Sequence, residues 1–474
     1  MNKFEQIDNV YILGIGGIGI SALARYFNAL GKAVSGYDLH RSELTERLAK
    51  EGMTISYTDS VDTVPSPCID SRERTLVVYT PAVPVTNNIF SYFKSHGYDM
   101  RKRAQVLGMI ADNYTTIAIS GTHGKTTNSC VMANILQCAG KDGFAFLGGI
   151  SRNIDSNLML PAAKSQYSNP QTLLVAEADE FDRSFLWLSP KIAVVTYVDA
   201  DHLDIYKNRD EIINTFNQFV QKCRPDGVVI VNQKIESLIK TEGISRFTYS
   251  EGDNGADYYA TNIRLNGGVY TIDAVTPKGI ISDVTIGAKG RVNIENTMAC
   301  IAAAQAAGID TDHIKEGIAT FKGVNRRMEM HVNTPEVVYI DDYAHHPAEL
   351  AATIKSVREL YPGKKLTGIF QPHLYTRTRD LADGFAESLG MLDELILMDI
   401  YPARELPIPG VDSQMIASRI KGCKVSLVSD KNKIIDLVSG GNVEVLLTLG
   451  AGNIDSLVAP ITEALSHKAY SVNV

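Results

Sequence analysis

The sequence lacks an excess of positive charge and any long apolar run. Its 474 residues carry 46 lysines and arginines against 54 aspartates and glutamates, a formal charge of −8. This balance argues against nucleic acid as a partner, because neutralising phosphates needs a clustered basic surface. No Gly-poor apolar run is long enough to cross a bilayer, and the acidic start MNKFEQIDNV is unlike a signal peptide. We therefore expect a cytoplasmic protein without stable membrane insertion.

The sequence also lacks paired cysteines and low-complexity tracts. Its six cysteines are scattered, with no CxxC pair and no histidine at zinc spacing, so we expect reduced thiols. Hydrophobic residues make up 45% and charged residues 21%, which is typical of a folded globular protein. A chain of this length is too long for one compact core and predicts several domains.

Three strand–glycine–helix units divide the chain and predict three consecutive α/β domains. The first spans residues 1–111, and the second, which starts at the strand pattern TTIAIS, spans residues 112–324. Alternating residues between about 249 and 286 predict an antiparallel insertion in the second domain, whose other strands suit a mostly parallel sheet. The third domain spans residues 325–474 and opens with VVYIDDYAHHP.

A GxGxxG turn lies between the first strand and the first helix. Gly14, Gly16 and Gly19 would let backbone amides approach a diphosphate at the helix N-terminus, and Asp38 follows the next strand at ribose-binding spacing. This makes the first domain Rossmann-like. By itself the motif indicates only a nucleotide diphosphate, so an NAD-dependent oxidoreductase is a possible interpretation, and a tight turn without a ligand is another.

A second glycine-containing loop, SGTHGKT (residues 120–126), follows a strand and opens a helix. A loop in this position points its N–H groups at one anion, which predicts a P-loop ATP-binding domain. Ile119 stands where the common GxxxxGK[ST] pattern has glycine, so a shorter cradle is implied. We expect Lys125 to contact the β/γ-phosphates and the Thr126 hydroxyl to reach Mg²⁺.

Magnesium also needs ligands outside this loop. Glu177 ends the strand pattern TLLVAEAD, and His202 follows the next one in DADHLD. Because neighbouring strand ends can converge on one phosphate, these side chains predict a magnesium site together with Thr126. Taken alone, Glu177 could be a solvated loop residue and His202 a helix cap.

The motifs occur in the order found in Mur ligases. They are the glycine turn, SGTHGKTT, EADE, DADHLD, NIEN, RRME, DDYAHHP, FQPHLYTRT and GAGNID. The sequence resembles this family from Tyr11 to about Asp455, and most closely its alanine-adding branch. It departs from the family pattern at Val292, Ala344 and Leu374.

The resemblance implies an ATP-dependent ligase that joins L-alanine to the carboxylate of UDP-N-acetylmuramic acid through an acyl phosphate, for peptidoglycan synthesis. It implies a bacterial cytoplasmic enzyme, a monomer or weak homodimer, with a Rossmann-like C-terminal domain that binds the amino acid. The residues implied for the UDP-sugar are Gly14, Gly16, Gly17, Ile18, Gly19, Asp38, Thr80 and Arg103. Those implied for ATP are Gly121, Thr122, His123, Gly124, Lys125, Thr126, Thr127, Asn293, Asn296, Arg327 and Asp342.

The resemblance also implies catalytic roles. Lys125 and Arg327 would meet the γ-phosphate, His202 would hold a second magnesium, and His345 or His346 could accept the amine proton. The His-His-Pro turn can equally be a helix start whose imidazoles cap or pack. The residues implied for alanine and the muramyl carboxylate are Tyr343, His345, His373, Arg377 and Arg379. The alternatives left open are a tripeptide-attaching recycling ligase and a regulatory ATPase module.

Overall fold

The computed structural model describes residues 4–163, 167, 169–199, 206, 208–403 and 405–471. These residues form three β-sheets flanked by helices, which confirms the prediction of three α/β domains. They fall into two compact units, residues 1–287 with 294–322 and residues 288–293 with 323–474. The first two sheets belong to the first unit, and the domain boundaries at residues 111 and 324 stay predictions. Within the described part of the chain, no helix is both long and apolar enough to cross a membrane.

The first sheet has the strand order β3-β2-β1-β4-β5, and all its strand pairs are parallel. Its strands are β1 (Asn9–Leu13), β2 (Ala33–Tyr37), β3 (Thr54–Ser56), β4 (Thr75–Tyr79) and β5 (Asp99–Lys102), and its helices are α1 (Ile18–Ala29), α2 (Glu43–Lys50), α3 (Ser66–Asp70), α4 (Asn88–Ser95) and α5 (Arg103–Ala111). The order reverses direction at β1, so β1, β2 and β4 end around one crevice, the usual place for a ligand in such sheets.

The middle sheet has ten strands in the order β15-β14-β13-β12-β11-β10-β6-β9-β7-β8. Its strands are β6 (Thr115–Ser120), β7 (Phe144–Ser151), β8 (Ser156–Met159), β9 (Leu173–Ala178), β10 (Ile192–Val195), β11 (Val228–Asn232), β12 (Ser245–Ser250), β13 (Tyr258–Asn266), β14 (Val269–Thr276) and β15 (Gly279–Ile286), and its helices are α6 (Lys125–Cys138), α7 (Arg209–Val220), α8 (Val292–Ala306) and α9 (Thr311–Ala319).

Strands β6, β9, β10 and β11 pair in parallel, and most of their residues are apolar and buried, as in strands covered by helices on both faces. Strands β13 to β15 are antiparallel, which confirms the predicted insertion. The antiparallel hairpin of β7 and β8 was not predicted from the sequence.

Helix α1 of the first sheet packs against this hairpin. The ring of Tyr26 lies 5.9 Å from Phe144 and 5.7 Å from Phe146, centroid to centroid. Asn157 on β8 is fully buried, donates to the Ser21 hydroxyl at 2.8 Å and accepts from the Arg25 guanidinium. Because a buried polar group that loses its partner is costly, these contacts fix α1 on the middle sheet.

The second unit contains a six-stranded sheet in the order β16-β17-β21-β18-β19-β20, parallel except for the pair β16 and β17. Its strands are β16 (Glu329–Asn333), β17 (Val338–Asp342), β18 (Leu366–Phe370), β19 (Glu394–Leu397), β20 (Lys424–Leu427) and β21 (Val445–Leu449), and its helices are α10 (Pro347–Leu360), α11 (Tyr375–Asp380), α12 (Ala382–Leu389), α13 (Ser413–Ala417), α14 (Lys431–Gly440) and α15 (Val458–Ser471). The pattern VVYIDDYAHHP correctly predicted a strand at β17, but the sequence predicted neither the antiparallel β16 nor the parallel edge strand β20.

Candidate active site

The glycine turn, residues 14–19, joins β1 to α1. Gly14 has a φ of +81°, and a Cβ there would lie 2.4 Å from Thr80 Cγ2, so only glycine fits. The backbone N–H of Gly16 donates to Asp38 Oδ2 at 2.8 Å. The structure therefore brings the glycine turn, Asp38 and Thr80 together at the ends of β1, β2 and β4.

Arg103 lies on the other side of the turn. It begins α5, and a Cβ on Gly19 would approach its Nη1 to 2.9 Å. Gly17, Ile18, Gly19, Thr80 and Arg103 line a cavity of about 220 Å³. The middle sheet supplies the opposite wall of this cavity, which consists of Phe146, Leu147, Gly148, Glu177, Asp179, Phe181, Asp182 and Ser184. One cavity thus connects the glycine turn with the acidic end of β9.

The phosphate loop, residues 121–126, joins β6 to α6. Gly121 and Gly124 have φ angles of +132° and +82°. A Cβ on Gly121 would lie 2.0 Å from Thr196 Oγ1, and one on Gly124 would lie 2.9 Å from Asn296 Oδ1. Glycine is required at both positions, and the loop opens a 14-residue helix whose N-terminal N–H groups favour an anion.

Several other residues predicted to bind ATP lie in or beside this loop. Thr126 and Thr127 form the first turn of α6, and the buried Thr122 hydroxyl has no hydrogen-bond partner among the described residues. Asn296 accepts from Asn128 Nδ2 at 2.8 Å, beside the loop. Asn293 is grouped with the second unit, and its role in ATP binding stays a prediction. A buried hydroxyl and the loop amides suit phosphate oxygens.

His123 was predicted to contact ATP through this loop. Its Nε2 lies 4.0 Å from Asp199 Oδ2, and its ring lies 5.8 Å from that of Tyr197. The loop is also tied to the strand-end residues of β10, because Thr122 N–H donates to the Tyr197 carbonyl at 2.9 Å. His123 therefore faces the residues that follow β10. The predicted ligand His202 lies outside the described residues.

Lys125 is the first residue of α6 at the end of the loop, and 13% of its side chain is exposed. Its Nζ donates to the Gly121 carbonyl at 2.7 Å and to Glu180 Oε1 at 2.9 Å. Burial disfavours the ammonium, but the carboxylates of Glu180, Asp179 and Glu177 outweigh burial and raise the pKa of Lys125 above its ordinary value. Lys125 therefore carries a full positive charge at neutral pH. The EADE motif contained Glu180, but the sequence did not indicate this pairing.

Glu177 is the penultimate residue of β9, and its carboxylate is turned toward β7 and α6. Its Oε2 accepts from the Gly148 N–H at 3.1 Å and from the Ser129 hydroxyl at 3.4 Å. A Cβ on Gly148 would lie 2.0 Å from Glu177 Oε1, so this glycine makes room for the carboxylate. Carboxylate and threonine oxygens beside a phosphate loop are the hard donors that Mg²⁺ prefers, so Glu177 and Thr126 fit the ion.

In the second unit, the RRME motif packs on Tyr343. The Arg327 guanidinium lies 5.2 Å from the Tyr343 ring centroid and 3.9 Å from Glu349 Oε1. Asp342 is buried and accepts from the N–H groups of Met328 and Ala344, both at 2.8 Å. Burial raises the pKa of Asp342 to about 6, against the lowering effects of Arg327 and these donors. The two predicted ATP residues, Arg327 and Asp342, therefore lie in one cluster.

The two histidines of DDYAHHP have different surroundings. His345 Nδ1 lies 3.0 Å from the Tyr343 carbonyl and 3.3 Å from Glu349 Oε2. Since both neighbours are acceptors, Nδ1 of His345 carries the proton and Nε2 can accept one. His346 is the N-cap of α10, and its Nδ1 accepts from the Ala348 N–H at 3.4 Å. His346 thus caps α10 through Nδ1, whereas the geometry of His345 suits a base.

Two of the remaining predicted amino-acid residues lie near His345. The ring of His373 lies 6.3 Å from that of His345 and 5.8 Å from Tyr401. Arg377 Nη1 lies 3.4 Å from His373 Nδ1. Arg379 is separate, because it is half exposed and donates to Asp380 Oδ1 at 2.7 Å. Tyr343, His345, His373 and Arg377 are thus brought together, and Arg379 is not.

Three family models match the chain in sequence order. They describe the Mur ligase family catalytic domain over residues 9–115, the Mur ligase middle domain over 119–304, and the Mur ligase glutamate ligase domain over 326–452. Fold and motifs together show that the chain belongs to the Mur ligase family of ATP-dependent ligases. This assignment removes the NAD-dependent oxidoreductase that the glycine turn alone had allowed.

Individual relatives are similar to this chain over nearly its whole length. A UDP-N-acetylmuramate–L-alanine ligase of Parabacteroides distasonis is 49% identical over 97% of this chain and 98% of its own length. One from Flavobacterium johnsoniae is 43% identical over 98% of this chain and 99% of its own length. The crystal structure of UDP-N-acetylmuramate-alanine ligase from Thermotoga maritima superposes with a TM-score of 0.81 at 25% identity, covering 97% of this chain and 99% of that one.

Proposed function

We propose that this chain uses ATP to join L-alanine to the carboxylate of UDP-N-acetylmuramic acid in the bacterial cytoplasm, as a monomer or weak homodimer. The observation that carries the proposal is the cavity of about 220 Å³ between the glycine turn and Glu177. A diphosphate bound at the N-terminus of α1 would let an attached sugar acid extend through this cavity toward the phosphate loop. The full-length relatives named for this reaction support the choice of substrates.

The chemistry requires two steps. A carboxylate does not react with an amine at neutral pH because oxide is a poor leaving group. In the first step a carboxylate oxygen attacks the γ-phosphorus of ATP and ADP leaves, giving an acyl phosphate. In the second step the alanine amine attacks the acyl carbon, inorganic phosphate leaves, and one proton passes from the nitrogen to a base. Negative charge builds up on the transferring phosphoryl group, and the buried Lys125 ammonium offsets it without reorganisation.

Magnesium supplies positive charge to the phosphates when it is bound. In this proposal Thr126 and Glu177 hold it, with His202 assigned to a second ion. Arg327, Asp342, Asn293 and Asn296 are assigned to ATP. His345 is assigned as the base, because Tyr343 and Glu349 fix its Nδ1–H tautomer. Tyr343, His373, Arg377 and Arg379 are assigned to alanine and the muramyl carboxylate.

The decisive experiment measures ADP release by the full chain with Mg²⁺, ATP and UDP-N-acetylmuramic acid against a panel of acceptors. The panel contains L-alanine, L-serine, glycine and an alanine-initiated tripeptide. We expect turnover that needs all substrates and is fastest with L-alanine, although discrimination among small amino acids can be only about 1 to 3 kcal/mol. Preference for the tripeptide would indicate a recycling ligase. ADP release without any acceptor would indicate a regulatory ATPase and contradict the proposal.

A further inference from the structure

Glu180, the last residue of the EADE motif, is the most deeply buried charged partner of the phosphate loop. Its side chain is 1% exposed, and both of its carboxylate oxygens lie within hydrogen-bond distance of Lys125 Nζ, at 2.9 and 2.8 Å. A buried carboxylate is stable only when its charge is paired. The ion pair with Lys125 therefore accounts for Glu180 being ionised in the interior.

The backbone just after Glu180 is held in an unusual conformation. Asp182 and Arg183 are consecutive residues with φ angles of 53° and 52°, which residues other than glycine rarely adopt. The Arg183 N–H donates back to the Glu180 carbonyl at 2.9 Å, and the Tyr206 hydroxyl donates to the same carbonyl. A left-handed pair of this kind persists only when surrounding contacts require it, so the position of Glu180 is specified by the fold.

A carboxylate beside the phosphate loop is unexpected, because it repels the phosphates that the loop is proposed to bind. The donor geometry of lysine resolves the conflict. An ammonium has three N–H groups, and one of them meets the Gly121 carbonyl. A second N–H donates to Glu180 Oε1, which leaves the third for a phosphate oxygen. The carboxylate can thus keep its contact with Lys125 while nucleotide is bound.

We propose that Glu180 is the positioning residue for Lys125: it holds the ammonium in the phosphate loop with and without nucleotide, and thereby raises the rate of phosphoryl transfer while lowering nucleotide affinity. This inference rests on the proposed function. The positioning role of Glu180 differs from a purely structural role in one measurable respect. A structural residue stabilises the whole loop, so its loss weakens binding and turnover together, whereas the loss of Glu180 should move them in opposite directions.

The test is Glu180→Gln in the full chain, which keeps the size and one acceptor oxygen but removes the charge. Binding of ADP and of ATP in EDTA is measured by calorimetry, and kcat by ADP release at saturating substrates. We expect nucleotide without Mg²⁺ to bind about 3- to 10-fold more tightly, because a repelling charge is gone, while kcat falls about 10- to 100-fold. An unchanged kcat, or a parallel loss of affinity and kcat, would overturn the inference.

The matched control is Glu51→Gln, which removes the carboxylate from another partly buried ion pair of the same unit, that of Arg25 and Glu51 at 2.8 Å. It should change thermal stability without changing nucleotide affinity or kcat. If Glu180→Gln does not fold, Glu180→Asp is used, because it keeps the charge one methylene further from Lys125. It should lower kcat at near wild-type affinity, and a wild-type kcat would refute positioning. A wild type that binds no nucleotide would instead refute the proposed function itself.

Discussion

Replacing Gly148 with alanine tests the proposed magnesium site without changing any proposed ligand. Gly148 lies on β7, and its N–H donates to the carboxylate of Glu177. The new Cβ would lie 2.0 Å from Glu177 Oε1, 2.3 Å from Cδ and 2.4 Å from Oε2. All three atoms of the carboxylate group are therefore inside van der Waals contact. The side chain of Glu177 is flexible and has to move, while the backbone can stay.

The expected losses of reaction rate and of folding stability follow from the size of this displacement. Non-bonded carbon atoms settle at about 3.5 to 4.0 Å, so restoring contact moves the carboxylate by more than about 1 Å. A misplacement of about 1 Å at a reacting centre can lower the rate about 100-fold, equivalent to about 2.7 kcal/mol of transition-state stabilisation. The cost to folding is smaller, about 0.5 to 1.5 kcal/mol, because it is that of one displaced rotamer.

The assay is ADP release as a function of Mg²⁺ concentration, together with thermal unfolding. Gly148→Ala should lower kcat about 100-fold and raise the Mg²⁺ concentration needed for half-maximal rate, with a folded protein. The control is Gly252→Ala in the same unit, whose Cβ would meet only the Ala260 carbonyl at 3.7 Å. If Gly148→Ala kept both the wild-type kcat and the wild-type Mg²⁺ dependence, Glu177 would not be a magnesium ligand.

Three further predictions concern other parts of the site. Lys125→Ala should lower kcat about 10² to 10⁴-fold, measured as ADP release, since its charge offsets that of the phosphoryl group. Gly19→Ala places a Cβ 2.9 Å from Arg103 Nη1, so KM for the UDP-sugar should rise about 10-fold with little change in kcat. Asp342 keeps its proton up to a pH of about 6 in the folded state, but only to about 3.9 when unfolded. The free energy of unfolding should therefore fall by up to about 3 kcal/mol as pH rises through that window, and urea midpoints of Asp342→Asn should lack this fall.

Local patterns in the sequence were sufficient for much of the fold. Strands such as β6 and β9 are short apolar runs followed by polar residues, and the sheet buries them on both faces. Gly14, Gly121 and Gly124 stand where the backbone has positive φ, which is a property of each residue's own position. For the same reason the glycine turn and the phosphate loop could be located by spacing alone.

Strands with weak patterns were missed. Strand β7, FAFLGGIS, contains two glycines, so its alternation is incomplete and its propensity is low. Strand β16, EMHVN, is mostly half-buried and pairs antiparallel at a sheet edge. Their place is decided by pairing with distant strands, and a local window does not contain that information. Missing β7 also concealed Gly148 and its contact with Glu177.

The acidic residues of EADE show a second limit of prediction from sequence spacing. Alternation along a strand end predicts which of them share a face, but β9 ends at Ala178, and after it the chain turns through two left-handed residues. Glu180 lies beyond the strand, so strand period does not give its direction, and sequence spacing gave Glu177 a role and left Glu180 without one. Burial then decides the chemistry: a carboxylate that is 1% exposed must keep a cation beside it. Because that cation is Lys125, the fold couples the charge balance of its own interior to the group that is proposed to contact the nucleotide.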